Sequence, residues 1–270
     1  MPEGHTLFRL ATALREAFAG EVVGVSSPQG RFAASAALLD GTELLGARSF
    51  GKHLFVEFEQ ARQVHVHLGL YGKFPLYPGP APEPVGQVRL RLVGRATYAD
   101  LRGATACDLV TSEQRQAILD RLGPDPLDPG ADPGRAWARI RSSRSPIGGM
   151  LMDQSVLAGV GNVYRAEVLY RHRMHPLRPG RTLRVGQWEA MWADLVDLLA
   201  AGVRTGRIET LRPEDRHAQE GRGAPRNYVY RRTGEACLVC GARVRTEVLS
   251  SRNLFWCPRC QPVFRSRARA

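Results

Sequence analysis

Four cysteines near the C-terminus constrain this 270-residue chain more than any other feature. They form two C-x2-C pairs, Cys237 with Cys240 and Cys257 with Cys260, separated by sixteen residues. Pairs at this spacing are typical of a structural site in which four thiolates hold one zinc ion. Two disulfides are the alternative, which the absence of an export signal at the start disfavours. The fifth cysteine, Cys107, is expected to be a small buried residue.

The charge balance predicts a polyanionic partner. The chain has 38 lysines and arginines against 26 acidic residues, giving a net charge of +12. Such an excess favours binding to nucleic acid. No run of eighteen apolar residues appears, as a transmembrane helix would require. We therefore expect a cytoplasmic protein that binds nucleic acid.

The basic residues are almost all arginines. Only Lys52 and Lys73 are lysines, and the other 36 basic residues are arginines. A guanidinium group binds phosphate but stays protonated, whereas a lysine amine can lose and regain a proton. Lys52 is therefore a candidate for proton transfer, while the presence of Lys73 is attributed to chance.

The first six residues, Met1 to Thr6, contain a candidate reactive group. The small Pro2 allows removal of Met1, which would leave a free secondary amine at the N-terminus. N-terminal amines have a pKa of about 7.7–8.0, so a sizeable fraction is neutral near pH 7. A neutral amine can attack a carbon with carbonyl character, and Glu3 beside it could move protons. From these residues alone, an ordinary chain start followed by a helix is the alternative.

Hydrophobic periodicity predicts an α+β fold with more than one domain. An apolar stripe predicts a helix from Thr6 to Ala19. Period-two alternation then predicts several short strands, which suggest a β-sandwich. The predicted strands are Thr42–Leu45, His53–Phe58, Val64–Leu68 and Val88–Leu92.

The second half of the chain is predicted to be mainly helical. Thr111 and Gln114 fit a capping box for a helix ending at Leu122, before a Gly- and Pro-rich joint. Ser145-Pro146 predicts the start of a helix carrying Met150, Leu151 and Leu157. A glycine turn follows, then a helix at 162–171 and a further apolar pattern at 188–199.

The residues around this glycine turn resemble a known motif. Leu151-Met152-Asp153-Gln154 and Ala158-Gly159-Val160-Gly161-Asn162-Val163-Tyr164 closely resemble the helix–two-turn–helix of the formamidopyrimidine-DNA glycosylase / endonuclease VIII family. Further matching motifs occur in the family's order and cover nearly the whole chain: Pro2-Glu3-Gly4, Gly51-Lys52, Leu122-Gly123-Pro124-Asp125-Pro126-Leu127, and Ser251-Arg252-Asn253 before the third cysteine. Residues 1–6 and 64–72 look most like the second endonuclease VIII type of actinobacteria.

The resemblance implies an architecture of three domains and a tail. These are a catalytic β-sandwich domain with a leading helix at 1–122, a helix–two-turn–helix DNA-binding domain at 123–226, a four-cysteine zinc finger at 227–262, and a basic tail at 263–270.

The resemblance also implies three catalytic roles in the first domain. Pro2 would be the nucleophile on the sugar C1′ of a flipped nucleotide, and Glu3 the acid–base group. Lys52 would donate a proton during β-elimination, which agrees with the separate lysine argument.

Further roles concern the DNA. Asn162 and Arg252 would hold phosphate groups, with Arg252 also assisting δ-elimination, and Arg121 matches a DNA-contacting arginine. Leu70 and Tyr71 match part of an intercalating loop, because apolar and aromatic side chains suit stacking on bases.

Two positions depart from the family pattern. The endonuclease VIII branch usually has Pro-Glu where this chain has His5-Thr6, so one acidic pocket residue is missing. His5 could supply a proton path, or Thr6 could simply cap the helix. Gly69 stands where the family often has a glutamine wedge. The pair His65 and His67 could ligate a metal, but no third ligand is evident and structural histidines are favoured.

We interpret the chain as a bifunctional DNA glycosylase and abasic-site lyase that removes oxidised bases, with pyrimidines preferred. Its expected partners are one structural zinc ion and damaged DNA, double- or single-stranded, bound by a monomer in the cytoplasm at the bacterial nucleoid. A non-catalytic damaged-DNA-binding repair protein is the alternative, and a zinc-ribbon RNA-binding or transcription factor is a third interpretation. The combination of Pro2, Glu3 and Lys52 favours the enzyme.

Overall fold

The computed structural model describes residues 2–216 and 224–265. The chain divides into two compact units, Met1–Arg121 and Leu122–Ala270. Met1, whose removal is predicted, lies outside the described ranges. Residues 266–270, which make up most of the predicted basic tail, also lie outside them.

The first unit contains three helices and eight strands. Its elements in chain order are α1 (Gly4–Phe18), β1 (Glu21–Ser26), α2 (Ala33–Leu39), β2 (Thr42–Phe50), β3 (His53–Phe58), β4 (Gln63–His67), β5 (Leu76–Pro78), β6 (Leu90–Val93), β7 (Thr97–Leu101), β8 (Ala106–Val110) and α3 (Ser112–Leu119).

The strands form the predicted β-sandwich. Their hydrogen-bonded order is β5-β7-β6-β1-β2-β3-β4-β8, and every neighbouring pair is antiparallel. Strand β1 is shared, because its residues 21–23 pair with β2 while residues 24–26 pair with β6. Apolar side chains from α1 and from the strands on both sides of β1 in this order form one core.

Helix α1 forms as its apolar stripe predicts. Leu7, Ala11, Leu14 and Phe18 recur at spacings of three and four, and all four are buried in the sandwich core. The helix begins at Gly4, earlier than predicted, with Glu3 as its N-cap residue. Thr6 therefore does not cap this helix, and that interpretation was wrong. Burial of the helix fixes the position of the chain start.

Strand β2 is longer than its sequence pattern predicts. A bulge between Leu44 and Gly46 interrupts its pairing with β3, and the strand then continues to Phe50. A bulge shifts the alternation of inward and outward side chains. The alternation of apolar and polar residues in the sequence is therefore interrupted at the bulge, although the strand itself continues.

The described residues of the second unit, 122–216 and 224–265, form five α-helices and one two-stranded hairpin. Its elements are α4 (Pro133–Ser142), α5 (Ile147–Met150), α6 (Asn162–Arg171), α7 (Val185–Thr205), α8 (Pro213–Arg216), β9 (Arg245–Leu249) and β10 (Arg252–Trp256), with a short 3-10 turn at Gly180–Thr182. Helices α4 to α7 pack around one apolar core, and the hairpin belongs to a second, smaller one.

Two predicted helices differ from those observed. The helix predicted after Ser145 is the single turn α5, with Pro146 as its N-cap residue, so Leu157 lies beyond it. Gly148 packs so closely that an added Cβ would lie 2.9 Å from the Pro176 carbonyl oxygen.

The capping box of Thr111 is confirmed, but α3 ends at Leu119 rather than Leu122.

Among the helices in the described ranges, none combines the length and apolar character needed to cross a membrane.

Candidate active site and nucleic-acid interface

The chain start lies in the wall of a cavity in the first unit. Pro2 is half-buried and lines a cavity of about 630 Å³, together with residues of the loop after β4. Glu3, the next residue, is completely buried. If Met1 is removed as predicted, this buried carboxylate directly follows the terminal amine in the chain, an arrangement suited to proton exchange with that amine.

His5 lies on the buried side of α1 and stays neutral near pH 7. Burial lowers its pKa to about 4, and the positive charge of Arg9 adds to the effect. The Thr6 hydroxyl lies 3.3 Å from His5 Nε2. The two residues that replace the family's Pro-Glu pair thus contact each other and contribute no negative charge.

Lys52 lies in the tight turn between β2 and β3. Phe50 pairs with His53 across a two-residue loop, in which Gly51 has a φ of 56°. Glycine adopts positive φ without steric cost, which suits a hairpin turn of this length. The turn places Lys52 at the end of two paired strands, where its backbone is held by the sheet.

Three histidines pack together beside this turn. His53 Nδ1 lies 2.9 Å from His65 Nε2, and the two rings stack with centroids 5.1 Å apart. The His67 ring contacts His53 edge-on, at 5.2 Å between centroids. The pKa of His53 is lowered to about 3, mainly by burial and to a smaller extent by the charges of His65, His67, Arg121 and Lys52. The predicted lysine and Arg121 therefore both lie near His53.

The three histidines do not place three ligand atoms close enough together to share one ion. Among the described residues, the four cysteines are the only group of three or more potential metal ligands close enough to share one ion. The structural interpretation of His65 and His67 is the one that the geometry supports.

Leu70 and Tyr71 form an exposed tip on the loop after β4. Leu70 is 41% exposed and Tyr71 is 83% exposed, which an intercalating pair requires. The Gly72 amide donates to the Leu68 carbonyl oxygen at 3.0 Å. An added Cβ on Gly72 would lie 2.2 Å from that oxygen, so the tight turn requires glycine.

Gly69 precedes this tip and cannot carry a side chain in its present conformation. Its φ is 67°, and an added Cβ would lie 2.4 Å from Thr105 Cγ2. Thr105 in turn contacts His67, with its Oγ1 2.9 Å from His67 Nδ1. The chain therefore presents a tip of two side chains without a glutamine.

In the second unit, Gln154 holds the turn that precedes α6. Its side-chain amide donates to the Val160 carbonyl oxygen at 3.0 Å and accepts from the Gly159 amide at 3.0 Å. Its backbone oxygen accepts from Gly123 at 2.9 Å. Gly159 has a φ of 83°, which favours glycine. These bonds place the turn in front of the N-terminus of α6.

Asn162 is connected through Arg165 to Asn253, the residue that follows Arg252. Asn162 is the first residue of α6, and its side-chain oxygen accepts a hydrogen bond from the Arg165 guanidinium. The same guanidinium donates to the backbone oxygen of Asn253 at 3.0 Å. Arg165 is 1% exposed, so this link is buried. The helix and the zinc-finger hairpin are thereby held at a fixed separation.

Arg252 is the first residue of β10 and is exposed to solvent. It follows the turn Ser250-Ser251, whose φ values are 50° and 59°. Positive φ at both central residues is the signature of a type I′ hairpin turn. Because serine rarely adopts this conformation, the pairing of Leu249 with Arg252 across the turn must hold it.

The four predicted cysteines come together at the base of this hairpin. Their Sγ atoms lie within 4.8 Å of one another, with 3.9 Å between Cys237 and Cys260 and 3.4 Å between Cys240 and Cys257. Four sulfurs around a zinc ion at about 2.3 Å lie about 3.8 Å apart. The donor set therefore fits a structural zinc ion, and four protein ligands leave no position for water.

A buried carboxylate anchors the chain that enters the zinc finger. Glu167 on α6 accepts backbone hydrogen bonds from Tyr228, Val229 and Tyr230 at 2.7, 2.9 and 2.8 Å. The Thr210 hydroxyl donates to it at 2.5 Å. Burial raises the pKa of Glu167 despite these bonds. One helix thus carries both Asn162 and the anchor of the finger.

A β-sandwich with a leading helix, a helix–two-turn–helix and a four-cysteine finger define a class of DNA repair glycosylases. Residues 1–107 match the family model of the formamidopyrimidine-DNA glycosylase N-terminal domain, and residues 122–212 that of its H2TH domain. Residues 234–263 match the zinc finger found in FPG and IleRS. The chain belongs to the formamidopyrimidine-DNA glycosylase / endonuclease VIII family.

Individual relatives agree over the full length. Endonuclease 8 1 of Mycobacterium tuberculosis is 52% identical over 267 residues, covering 97% of this chain and 100% of the relative. Endonuclease 8 of Pectobacterium atrosepticum is 32% identical, with coverage of 97% and 100%. The mycobacterial relative carries the designation Endonuclease 8 1, and it confirms the expected resemblance to an actinobacterial endonuclease VIII.

A solved structure shows the same fold. Formamidopyrimidine-DNA glycosylase of Lactococcus lactis, bound to DNA containing an abasic site, superimposes with a TM-score of 0.80. The two proteins are 21% identical, and the match covers 97% of this chain and 100% of that one.

Sequence reasoning missed Arg165, Glu167 and Gln154 as positioning residues. Arg165 is one of 36 arginines, so nothing in its type marks it. A signal exists for Glu167, since it lies among the apolar residues of α6 and a carboxylate there must have buried partners.

Proposed function

We propose that this protein is a bifunctional DNA glycosylase and abasic-site lyase of base excision repair. It removes oxidised bases, pyrimidines in preference, and cleaves the strand by β/δ-elimination through a Schiff base on Pro2. The observation that carries the proposal is the position of Pro2 in a cavity wall with the buried Glu3 beside it. Relatives designated Endonuclease 8 and formamidopyrimidine-DNA glycosylase support the reaction class.

The reaction begins when the neutral Pro2 amine attacks C1′ of an extruded nucleotide and the base departs. The proline nitrogen loses its proton and the sugar ring opens to give an iminium ion, which acidifies the neighbouring sugar proton. Glu3 exchanges protons with the sugar and base, and Lys52 donates a proton during β-elimination. Strand cleavage then needs no hydrolytic metal.

DNA is held by residues of both units. Asn162 and Arg252 bind phosphate groups, and Arg252 also assists δ-elimination. Support comes from the exposed Arg252 and from the buried Arg165, which donates to the Asn162 side chain and to the backbone of Asn253 beside Arg252. Arg121 contacts the DNA backbone, and Leu70 and Tyr71 fill the space left by the extruded base.

One zinc ion per chain holds the finger together through Cys237, Cys240, Cys257 and Cys260. It acts structurally, because binding energy at a four-thiolate site is folding energy for a finger of this size. The finger presents Arg252 to the DNA.

We further propose a functional division into a catalytic domain at 1–122, a DNA-binding domain at 123–226, a finger at 227–262 and a tail at 263–270. The protein acts as a monomer on damaged DNA, double- or single-stranded, in the cytoplasm at the nucleoid. The net charge of +12 supports the polyanionic partner.

Borohydride trapping tests the central step. Reduction of the iminium ion on DNA with an abasic site should yield a covalent adduct, which mass spectrometry should locate at Pro2. A variant that retains Met1 carries an amide at this position and should neither trap nor cleave. Brief EDTA treatment of folded protein should leave cleavage unchanged. If the Met1-retaining variant cleaves at the wild-type rate, Pro2 is not the nucleophile. If wild type binds DNA but never traps, the non-catalytic alternative stands.

A further inference from the structure

The cavity that contains Pro2 has a second amine at its wall. Its volume of about 630 Å³ falls within the range of about 300–1,000 Å³ common for ligand sites. The lining is mainly apolar, with Leu10, Leu68 and Phe74 among its side chains. Lys73, which sequence reasoning attributed to chance, lines it too.

The backbone of Lys73 is held rigidly. Its amide donates to the Arg102 carbonyl oxygen and its carbonyl accepts from the Arg102 amide, both at 2.9 Å. The next residue, Phe74, is 4% exposed and anchors the chain in the sandwich core. The stem of the lysine therefore leaves from a fixed point, while its side chain is exposed.

Of the two basic residues whose backbones pair here, Lys73 and Arg102, only Arg102 forms an ion pair with an acidic group in the described part of the chain. The Arg102 guanidinium pairs with Asp100 at 2.9 Å, and Asp100 also pairs with Arg91. No ion pair joins the Lys73 ammonium to an acidic group among residues 2–216 and 224–265. The cavity wall thus holds one ammonium group available to a ligand.

We propose that Lys73 is a specificity-determining residue, whose ammonium donates a hydrogen bond to an exocyclic carbonyl oxygen of the extruded base in this cavity. The inference rests on the proposed function, because it assigns the cavity to the base that Pro2 displaces. An apolar cavity with few fixed polar groups is the usual form of a site that orients a small flat ligand. Oxidised pyrimidines carry exocyclic carbonyl oxygens that can accept from such a donor.

The hydrogen bond from Lys73 to the base should affect base excision and not the later cleavage of the strand. In base excision, the proline lone pair forms the N–C1′ bond while the electron pair of the glycosidic bond leaves on the base. The proline nitrogen gives up one proton and the base takes up one, so the step is balanced. Until the base is protonated, negative charge develops on its ring nitrogen and its carbonyl oxygens, where an ammonium stabilises it. A preformed abasic site has no base, so its cleavage does not use this contact.

The test compares the two steps in the same variants. Lys73→Met removes the charge but keeps a long flexible side chain, and Lys73→Arg keeps the charge. Arg95→Met removes one positive charge from an exposed turn of the same unit that does not line the cavity. Each protein is assayed for base release from an oligonucleotide with an oxidised pyrimidine, and for cleavage and borohydride trapping on a preformed abasic site.

Lys73→Met should lower base release at least about tenfold, the usual effect of losing a hydrogen bond to a charged group. Its abasic-site cleavage should stay within about twofold of wild type, as for surface changes generally. Lys73→Arg should recover much of the base release, and Arg95→Met should alter neither step. Unchanged base release by Lys73→Met, or an equal loss in both steps, overturns the inference. Wild-type protein that cleaves abasic DNA but releases no base would contradict the proposed glycosylase function instead.

Discussion

The Tyr170 hydroxyl lies 3.1 Å from Cys237 Sγ and 3.8 Å from Cys260 Sγ. Tyr170 is on α6, whose first residue is Asn162, so one helix contacts both the cysteine cluster and the predicted phosphate site. A hydrogen bond to a thiolate ligand stabilises its negative charge and orients it. The metal site and the helix are therefore coupled through this hydroxyl.

Tyr170→Phe should weaken zinc retention while leaving the fold in place. Loss of such an outer hydrogen bond typically costs about 10- to 100-fold in metal affinity. Zinc release into a colorimetric chelator would measure the change. Tyr164→Phe, which removes another buried hydroxyl from the same helix and does not contact the cysteines, is the control. Equal release rates for Tyr170→Phe and wild type would show that the hydroxyl does not support the metal.

Lys52→Arg should slow elimination at a preformed abasic site by about a hundredfold, a typical contribution of a general acid–base group. The change keeps the positive charge but removes an amine that readily gives up a proton. DNA affinity, measured by fluorescence anisotropy, should change little. Lys73→Arg makes the same substitution at the chain's other lysine and should leave abasic-site cleavage intact. Wild-type cleavage by Lys52→Arg would rule out proton transfer by this residue.

Non-specific DNA binding should weaken steeply as salt increases, because arginines that neutralise phosphates release counterions. Arg252→Ala should reduce the magnitude of the log–log slope by about 0.9, the value for one phosphate contact. Arg95→Ala, an exposed arginine of the other unit, serves as the comparison. A slope near zero for wild type would contradict nucleic-acid binding altogether.

His53 should make the protein less stable as the pH falls. Burial lowers its pKa from 6.5 to about 3 in the folded state, with smaller contributions from His65, His67, Arg121 and Lys52. Between these pH values, the unfolded chain takes up a proton that the folded protein excludes, so stability present at pH 7 is lost on acidification.

His53→Gln should therefore lose less stability than wild type between pH 7 and pH 4.5. Urea unfolding followed by circular dichroism at constant ionic strength would measure the two differences. Gln63→Ala, on the adjoining strand β4, controls for a general effect of substitution in this sheet. An identical pH dependence for His53→Gln and wild type would mean that His53 is not the responsible group.

Local signals in the sequence predicted local structure well. Helix α6 has the predicted bounds, Asn162–Arg171, and β3 the predicted bounds, His53–Phe58. Both depend on a periodic pattern or a turn residue contained within a few neighbours. The cysteine spacing was equally informative, because the chemistry of the ligands restricts how the chain can run between them.

The remaining features depend on residues far apart in the sequence. Helix α5 is one turn long, and its Gly148 packs on Pro176, a contact between distant residues that no local pattern encodes. The pairing of β1 with both β2 and β6 likewise joins distant segments. The cavity shared by Pro2 and Lys73 appears only when the chain start is packed on the loop after β4.

The contact between Gly69 and Thr105 makes substitutions at these two positions epistatic. Gly69→Gln alone places a Cβ against the Thr105 methyl and forces a side chain into a left-handed conformation. Thr105→Gly removes the first obstacle but also the hydroxyl that contacts His67. A glutamine at this position therefore requires two further changes, a smaller residue at position 105 and a backbone at position 69 that leaves the left-handed region.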